Sequence, residues 1–369
     1  MIIRSVIYYH QSLPLFPFKF RLWGPKLKEI MFYNYLYPLY VKLFLNKYTY
    51  VAVQTEDVRQ RFARRYHFPI DRIGVFFPEV ENIIGETVEP YAYEEGTYNF
   101  FYPAMGAIYK EHLTIAYALE RILASDTAIA ERIRIHFTLQ KGDNKELDDY
   151  ISRYQLEAYF VFHGNIPHQQ VLSMMKSSNG LLFPSVIETL GLPLLEAAAL
   201  GVPVVANDMD YAREVLGEYE GAYFVTVHDY EAWAAKMVSL FKKKEYFAPY
   251  QVSDNDSWKR LIMQIRGEGE SLQGKKAICV LATASATRGA LAIYNQFIHA
   301  LEQYAGNDEW YVFVDVGMPM PEIQNVSYHV CHTKGFGRIW FDLMGFRRLV
   351  RHLGVSPDVV FSLQNTGVK

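Results

Sequence analysis

Two glutamates eight positions apart, Glu188 and Glu196 in "LLFPSVIETLGLPLLEAAALGVPVVAND", have the residue type and spacing to do chemistry. The apolar run before Glu188 reads as a buried strand, and Glu196 falls just inside the helix that follows. Pro193 has the fixed φ favoured in a first helical turn, and Gly201 suits the far end. The amides of Thr189, Leu190 and Gly191 are therefore expected to gather at a helix N-terminus. Such a terminus is an anion site worth about 0.3–1 kcal/mol at a surface and up to ~2 when partly buried, and a diphosphate is the obvious occupant. A carboxylate one turn into the helix can accept bonds from two adjacent hydroxyls, roughly 1.5–3 kcal/mol each, which suits a ribose. Glu188, on the near side of the phosphates, would then meet the group beyond them, in a nucleotide sugar the sugar itself. The alternative is a solvated helix-face acid and a loop acid; the surrounding strand, loop and helix with Pro and Gly in place favour the ligand reading.

Positioning these groups takes a series of strands and helices, and the sequence supplies them. From 131 to 206 "RIRIHFTL", "YFVFHG", "GLLFPS" and "VPVVAN" read as strands, alternating with the helices "NKELDDYISRYQL", "PHQQVLSMMKSS" and "LPLLEAAALG". That alternation predicts an α/β architecture with parallel sheets. A polar stretch after Leu240 holds one helix near Trp258–Ile265 and a linker-like run from Gly267 to Gly274. After it, "AICVLATASATRGALAIYNQFIHALEQY" reads as a strand, a small-residue loop and a helix, the opening of a Rossmann-like domain. No fixed-period repeat is present.

At 369 residues the chain is long enough for two domains. Half its residues are apolar and its formal net charge is -3, which fits an ordinary globular protein and gives no hint of a nucleic-acid partner. Cys279 and Cys331 alone cannot build a disulfide framework or an all-thiol zinc site, and a reducing cytoplasm fits best. No apolar run of membrane-spanning length and no export leader is visible, so a chain neither spanning nor exported is expected. The segment 19–48 interleaves Lys19, Arg21, Lys26, Lys28, Lys42 and Lys47 with many aromatics and one acid, Glu29. Peripheral contact with the inner face of an anionic membrane and an ordinary amphipathic helix with a cationic wet face both fit that pattern.

The run "ETLGLPLLE", followed by "AAALGVPVVA" and "REV", resembles the E-x7-E signature of retaining glycosyltransferases of the large family 4 group, which have the GT-B fold of two Rossmann-like domains facing across a cleft. The resemblance covers most of residues 98–240, where "YNFFYPAMGAIYKEH" is similar to the first strand and phosphate loop of the donor domain. It implies Glu188 on the donor sugar, Glu196 on the ribose, Lys110 on the phosphates, and Gly164 in "VFHGNIP" as the glycine before the next helix. The arginine that usually precedes that lysine is not evident in "PAMGAIYK", which leaves the second phosphate contact unassigned. His10, after the strand in "VIYYHQSLPL", stands where the acceptor-side domain of such enzymes offers a histidine near the donor sugar; a histidine satisfied at a strand end is the plainer alternative. The family's glycine-rich acceptor-side loop corresponds to "ATASATRGALAIY", with Arg288 and Gly289 but no glycine pair.

Relatives of this group run acceptor domain, donor domain, then a helix crossing back. Here the donor domain is central, and "PDVVFSLQNTGVK" looks like the middle of an acceptor domain that "MIIRSVIYYHQSLPLF" would continue. The expected organisation is 1–92 as the second half of the acceptor-side domain, 93–245 as the donor domain, 246–266 with the crossing helix, 267–274 as linker and 275–369 as the first half of the acceptor-side domain. A circular permutation, or a fusion of two partial enzymes, would give this order.

Three lookalikes carry less. Asp208-Met209-Asp210 matches the D-x-D metal motif of a different glycosyltransferase fold but reads as a loop starting a helix; "HVCH" (His329, Cys331, His332) lacks a second ligand pair; "GFGR" is too short for a dinucleotide fingerprint. The resemblance implies a retaining hexosyltransferase that moves a sugar from a nucleoside diphosphate sugar to a hydroxyl of a glycan or lipid-linked acceptor, in bacterial surface polysaccharide or glycolipid synthesis, with no metal or other cofactor expected. A nucleotide-sugar epimerase of the same fold, or a non-catalytic or partner-dependent nucleotide-sugar-binding protein, are the alternatives.

Overall fold

The computed structural model describes residues 4–16, 31–78, 88–243, 247–250, 256–267, 274–284, 288–332 and 336–367, with only the backbone course at 288, 289 and 336. Lys19, Arg21, Lys26, Lys28 and Glu29, and most of the expected linker, lie outside these residues. The chain divides into two compact units, one from 1–79 with 254–369 and one from 80–253.

The strands are β1 (Arg4–Tyr9), β2 (Thr49–Val53), β3 (Ile73–Val75), β4 (Tyr98–Tyr102), β5 (Ile133–Phe137), β6 (Phe160–Phe162), β7 (Gly180–Phe183), β8 (Val204–Asn207), β9 (Ala222–Val225), β10 (Ala277–Leu281), β11 (Glu309–Val314), β12 (Val326–Val330) and β13 (Val359–Ser362). They form two wholly parallel sheets, ordered β12-β11-β10-β13-β1-β2-β3 in the first unit and β6-β5-β4-β7-β8-β9 in the second. Counted from β4, the second sheet runs 3-2-1-4-5-6. Counted from β10 and passing from β13 to β1, the first runs 3-2-1-4-5-6-7. This is the Rossmann order, which reverses direction between its first and fourth strands.

In the first unit those two strands are β10 and β13, and β13 also pairs with β1 in the register Arg4↔Val359 to Ile7↔Ser362. The strands expected near Val6 and Val359 are therefore neighbours. Both sheets are covered on their two faces, which is why their strands are continuous apolar runs. On one face of the first sheet, Trp258, Leu261, Ile262 and Ile265 of the helix Ser257–Arg266 and Tyr294, Phe297 and Leu301 of the helix Arg288–Tyr304 pack on Val6, Tyr8, Val280 and Phe361. Trp258 stacks on Tyr8 at 5.7 Å and its indole N–H donates to Gln296 Oε1 at 3.0 Å.

Of the segment 19–48, for which peripheral membrane contact and a helix with a cationic wet face were both open, residues 31–48 are described, and Lys42 and Lys47 are exposed. Within its described part a π-helical turn, Phe32–Leu36, runs into the α-helix Tyr37–Lys42, which buries Pro38 and Val41. The opposite face is apolar as well, with Phe32, Tyr35, Leu36, Leu39 and Leu43 exposed to solvent.

In the second unit the helices His112–Ser125 and Lys145–Arg153 bury Ile115, Leu119, Ile122, Leu147 and Ile151 against the sheet. Local chemistry sets the start of the second of these: the Asn144 side chain accepts from the Leu147 amide at 3.2 Å, satisfying one of the donors a helix start leaves open.

Candidate active site

The switch point of the second sheet lies between β4 and β7. After β4 the chain turns through a 3-10 turn, Ile108–Lys110, and the Lys110 carbonyl accepts from Tyr102 Oη at 2.8 Å. After β7 it passes through Ser185, whose carbonyl accepts from Tyr211 Oη at 2.6 Å and Asn207 Nδ2 at 3.2 Å. The two loops are stitched together where the Val186 amide donates to the Tyr109 carbonyl at 2.9 Å. The consequence is an ion pair between Lys110 Nζ and Glu188 Oε1, with both side chains mostly but not wholly buried.

Thr189, Leu190 and Gly191 follow as the turn into the helix Leu192–Ala199. Gly191 is its N-cap with φ 81°, a left-handed conformation that suits glycine and brings the backbone round to the helix start. Glu196 sits one turn in, only 8% exposed, and accepts from His168 Nε2 at 2.8 Å. His168 opens the helix His168–Ser177 and was not singled out in the sequence, because a histidine at a helix start has no periodic or spacing signal.

Gly164 ends the segment after β6 with φ 67°, and a Cβ there would come within 3.1 Å of Gln140 Cγ. Its neighbour His163 donates from Nε2 to His136 Nδ1 at 2.9 Å, and His136 Nε2 donates to Asn99 Oδ1 at 2.8 Å. Burial, with His163 and Arg134 alongside, pulls His136 down to about 4, so the pair is neutral near neutrality. Burial likewise lowers His112, at the start of the helix after Lys110, to about 3. Glu111 between them takes the left-handed conformation, φ 53°, unusual for a residue with a side chain.

The switch point of the first sheet carries His10. Its amide donates to Asn365 Oδ1 at 2.6 Å, and its Nε2 lies 3.1 Å from the Leu363 carbonyl and 3.3 Å from Asn365 Nδ2; with the proton on Nε2 for the closer carbonyl, Nδ1 is an acceptor. Desolvation lowers the imidazole to about 4 despite the carbonyl bond that favours its charge. Beside it Asp342 is fully buried and accepts from Tyr40 Oη at 2.6 Å, Thr366 Oγ1 at 3.1 Å and Gln364 Nε2 at 3.2 Å, while Thr283 Oγ1 donates to Gln364 Oε1 at 3.0 Å. Arg338 Nη2 donates to the Gln364 carbonyl at 3.0 Å. Burial raises the Asp342 carboxyl, partly offset by Tyr40, Arg338 and Thr366. Arg288 and Gly289 are the first two residues of the helix after β10. The structure thus brings together Lys110, Glu188, Thr189, Leu190, Gly191 and Glu196 in one unit, and His10 with the Asp342 network in the other.

The lookalike motifs have local uses. Asp208 Oδ1 accepts from Arg213 Nε at 2.6 Å and Asp210 opens the helix Asp210–Leu216. His332 pairs with Asp315 at 3.1 Å, and no group of three or more metal-ligating side chains occurs among the described residues. Among the described residues no helix is long and apolar enough to cross a membrane.

Residues 107–250 match the family of glycosyl transferases group 1. The chain is similar to a phosphatidyl-myo-inositol mannosyltransferase of Mycolicibacterium smegmatis, 27% identical over 158 residues that cover 41% of this chain and 40% of that protein. It is also similar to the O-antigen chain mannosyltransferase B of Escherichia coli, 26% identical over 136 residues, 37% of this chain and 32% of that protein. The matched part thus spans well under half the length of these relatives. Among solved structures, sucrose-phosphate synthase from Thermosynechococcus elongatus superposes with a TM-score of 0.50 at 17% identity, covering 65% of this chain and 59% of the other. The fold is that of the GT-B glycosyltransferases, two α/β units each built on a parallel sheet.

Proposed function

We propose that this chain is a retaining glycosyltransferase that moves a hexosyl group from a nucleoside diphosphate sugar to a hydroxyl of a glycan or lipid-linked acceptor, in bacterial surface polysaccharide or glycolipid synthesis. The observation that carries the reading is the joining of two loops at the switch point of the second sheet, which sets Lys110 against Glu188 at the start of the helix that buries Glu196. The matched family residues coincide with this unit, and both curated relatives are mannosyltransferases.

In this reading the diphosphate takes the Lys110 ammonium and the amides of the turn 189–191, which stabilise the charge that grows on the leaving phosphate as the glycosidic bond breaks. Glu196 accepts from the two ribose hydroxyls. Glu188, released from Lys110, positions the sugar. Transfer proceeds on the front face, so no side chain serves as covalent nucleophile, and His10 is assigned to the acceptor hydroxyl through its open Nδ1. The chain order is read as permuted, supported by the pairing of β13 with β1 and by an order that matches the second sheet only when counted from β10.

Titration calorimetry with UDP, GDP and ADP and their hexose conjugates tests the donor site. One nucleotide is expected to bind, and Glu196→Ala to weaken it about 10- to 100-fold, the loss of one or two charge-assisted bonds. Transfer to a hydroxyl acceptor should give a product of unchanged anomeric configuration by NMR. Binding with neither transfer nor hydrolysis would move the chain to the non-catalytic reading, and no binding by any nucleotide would remove the donor site altogether.

A further inference from the structure

Two helices lie on one face of the first sheet, the face on which Val41, Val51 and Val53 form one apolar cluster and Phe341, Phe346, Val350 and Val360 another. The first is the helix through 31–42. The second runs from Phe336–Trp340 through a π-helical turn, Phe341–Gly345, into Phe346–His352. They are joined where Tyr40 Oη donates to the buried Asp342 at 2.6 Å.

Away from the sheet both present large apolar side chains to solvent. Tyr35 is 70% exposed, Leu36 58% and Leu39 61%, spaced at helical intervals along the first; Trp340 and Met344, one turn apart on the second, are 51% and 54% exposed. Exposed apolar residues scattered singly need no account, but a row on each of two adjoining helices does.

Charge says what covers it. The first segment, 31–48, carries Lys42 and Lys47 and no acid; the second, 337–352, carries Arg338, Arg347, Arg348 and Arg351, and its one acid, Asp342, is buried. Lys42, Lys47, Arg347, Arg348 and Arg351 are exposed around the apolar rows, and Arg348 lies over the Trp340 ring at 5.8 Å. The sequence just before, 17–30, adds Lys19, Arg21, Lys26 and Lys28 against Glu29. This local excess of cations stands on a chain whose formal net charge is -3.

We propose that this double-helix face is a docking surface for an anionic lipid bilayer, with Leu36, Leu39, Trp340 and Met344 entering the headgroup and acyl boundary and the lysines and arginines meeting anionic headgroups. An apolar row flanked by cations is the arrangement that holds a protein at such an interface without spanning it. A neutral partner would leave the cations unmatched, and a second copy of the same face would bring like charges together. The inference does not rest on the nucleotide-sugar reading.

Flotation of the full chain with vesicles tests it. The protein should float with vesicles of phosphatidylcholine mixed with phosphatidylglycerol, much less with phosphatidylcholine alone, and be released by high salt. Leu36→Glu with Leu39→Glu, and separately Arg347→Glu with Arg348→Glu, should each lower vesicle partition by about tenfold or more while the unfolding temperature and nucleotide binding stay as in the parent chain. All four positions are exposed, so loss of fold is detected by the unfolding temperature and separated from loss of docking. Failure of the parent chain to float with anionic vesicles, or flotation of both variants like the parent, overturns the proposal. So does a concentration-dependent dimer in sedimentation that the leucine substitutions dissociate, without vesicle binding.

Discussion

The two sheets share one strand order and equip its reversal point in opposite ways. In the second unit the loops after β4 and β7 meet through one backbone bond and leave charged groups, Lys110 and Glu188, in contact with each other and partly open to solvent. In the first unit the equivalent place, after β10 and β13, is filled by a buried polar network in which Asp342, Gln364, Thr366 and Thr283 satisfy one another. The same topology therefore supplies a crevice in each unit, lined by a partly open ion pair in the second and, beside His10, by a fully partnered buried network in the first. A buried charge with all its partners in place is committed to them, since exchanging them for a ligand would first strand polar groups without water. The Lys110–Glu188 pair keeps 13% and 14% of its side-chain surfaces in solvent, so a ligand can reach it without first breaking a closed network.

Removing each charge should break the symmetry in opposite directions. Asp342→Ala strands three donors, and the first unit is expected to lose about 3–5 kcal/mol, read as a lower midpoint in urea unfolding with little change in nucleotide binding. A loss under about 1 kcal/mol would mean that the network is ornamental to stability. Lys110→Ala should do the reverse, weakening diphosphate binding by about 10- to 100-fold while leaving unfolding within about 1 kcal/mol of the parent. If its unfolding midpoint fell as far as that of Asp342→Ala, the contrast between the two switch points would be wrong.

Acid sharpens the comparison more gently. His112 and His136 in the second unit and His10 in the first have folded pKa values of about 3, 4 and 4, below the unfolded value of about 6.5. In the window between, the unfolded chain binds more protons, so their contribution is complete above about pH 6.5 and is lost as pH falls towards about 4, at up to ~1.4 kcal/mol per pH unit for each histidine. Asp342 acts with the opposite sign: its raised carboxyl favours the folded state in acid and costs stability as pH rises. The second unit, where burial lowers His112, His136 and His163 against His10 and His329 in the first, should loosen first on acidification. Hydrogen exchange resolved by peptide would follow both units from about pH 7 to about pH 5, and earlier exchange in the first unit would contradict the assignment.

The strands and helices of residues 131–206 were legible because parallel strands buried on both faces are unbroken apolar runs, and the helices between them alternate with a period near 3.6. The placing of Glu188 before a helix and Glu196 inside it was legible because Pro193 and Gly201 mark the two ends of that helix whatever the rest of the chain does. His168 and Asp342 were not. Each acquires its role from a partner far along the chain, Glu196 28 residues away and Tyr40 302 residues away, and no local pattern encodes such a meeting. Between the two readings left open for 19–48 the sequence could not choose, because interleaved aromatics and cations do not say which of them face the sheet; within the described part Pro38 and Val41 are buried while Tyr35, Leu36 and Leu39 are exposed.

By itself the sequence determined the class of fold, the alternation of elements and the helix-start chemistry, because these follow from backbone propensity and short-range periodicity. Only the tertiary structure decided that β13 lies between β10 and β1, that Lys110 meets Glu188, and that one switch point holds a buried polar network while the other holds a partly open ion pair. Those outcomes depend on strand pairings and side-chain contacts between segments separated by tens to hundreds of residues, and distance along the chain carries no record of distance in space.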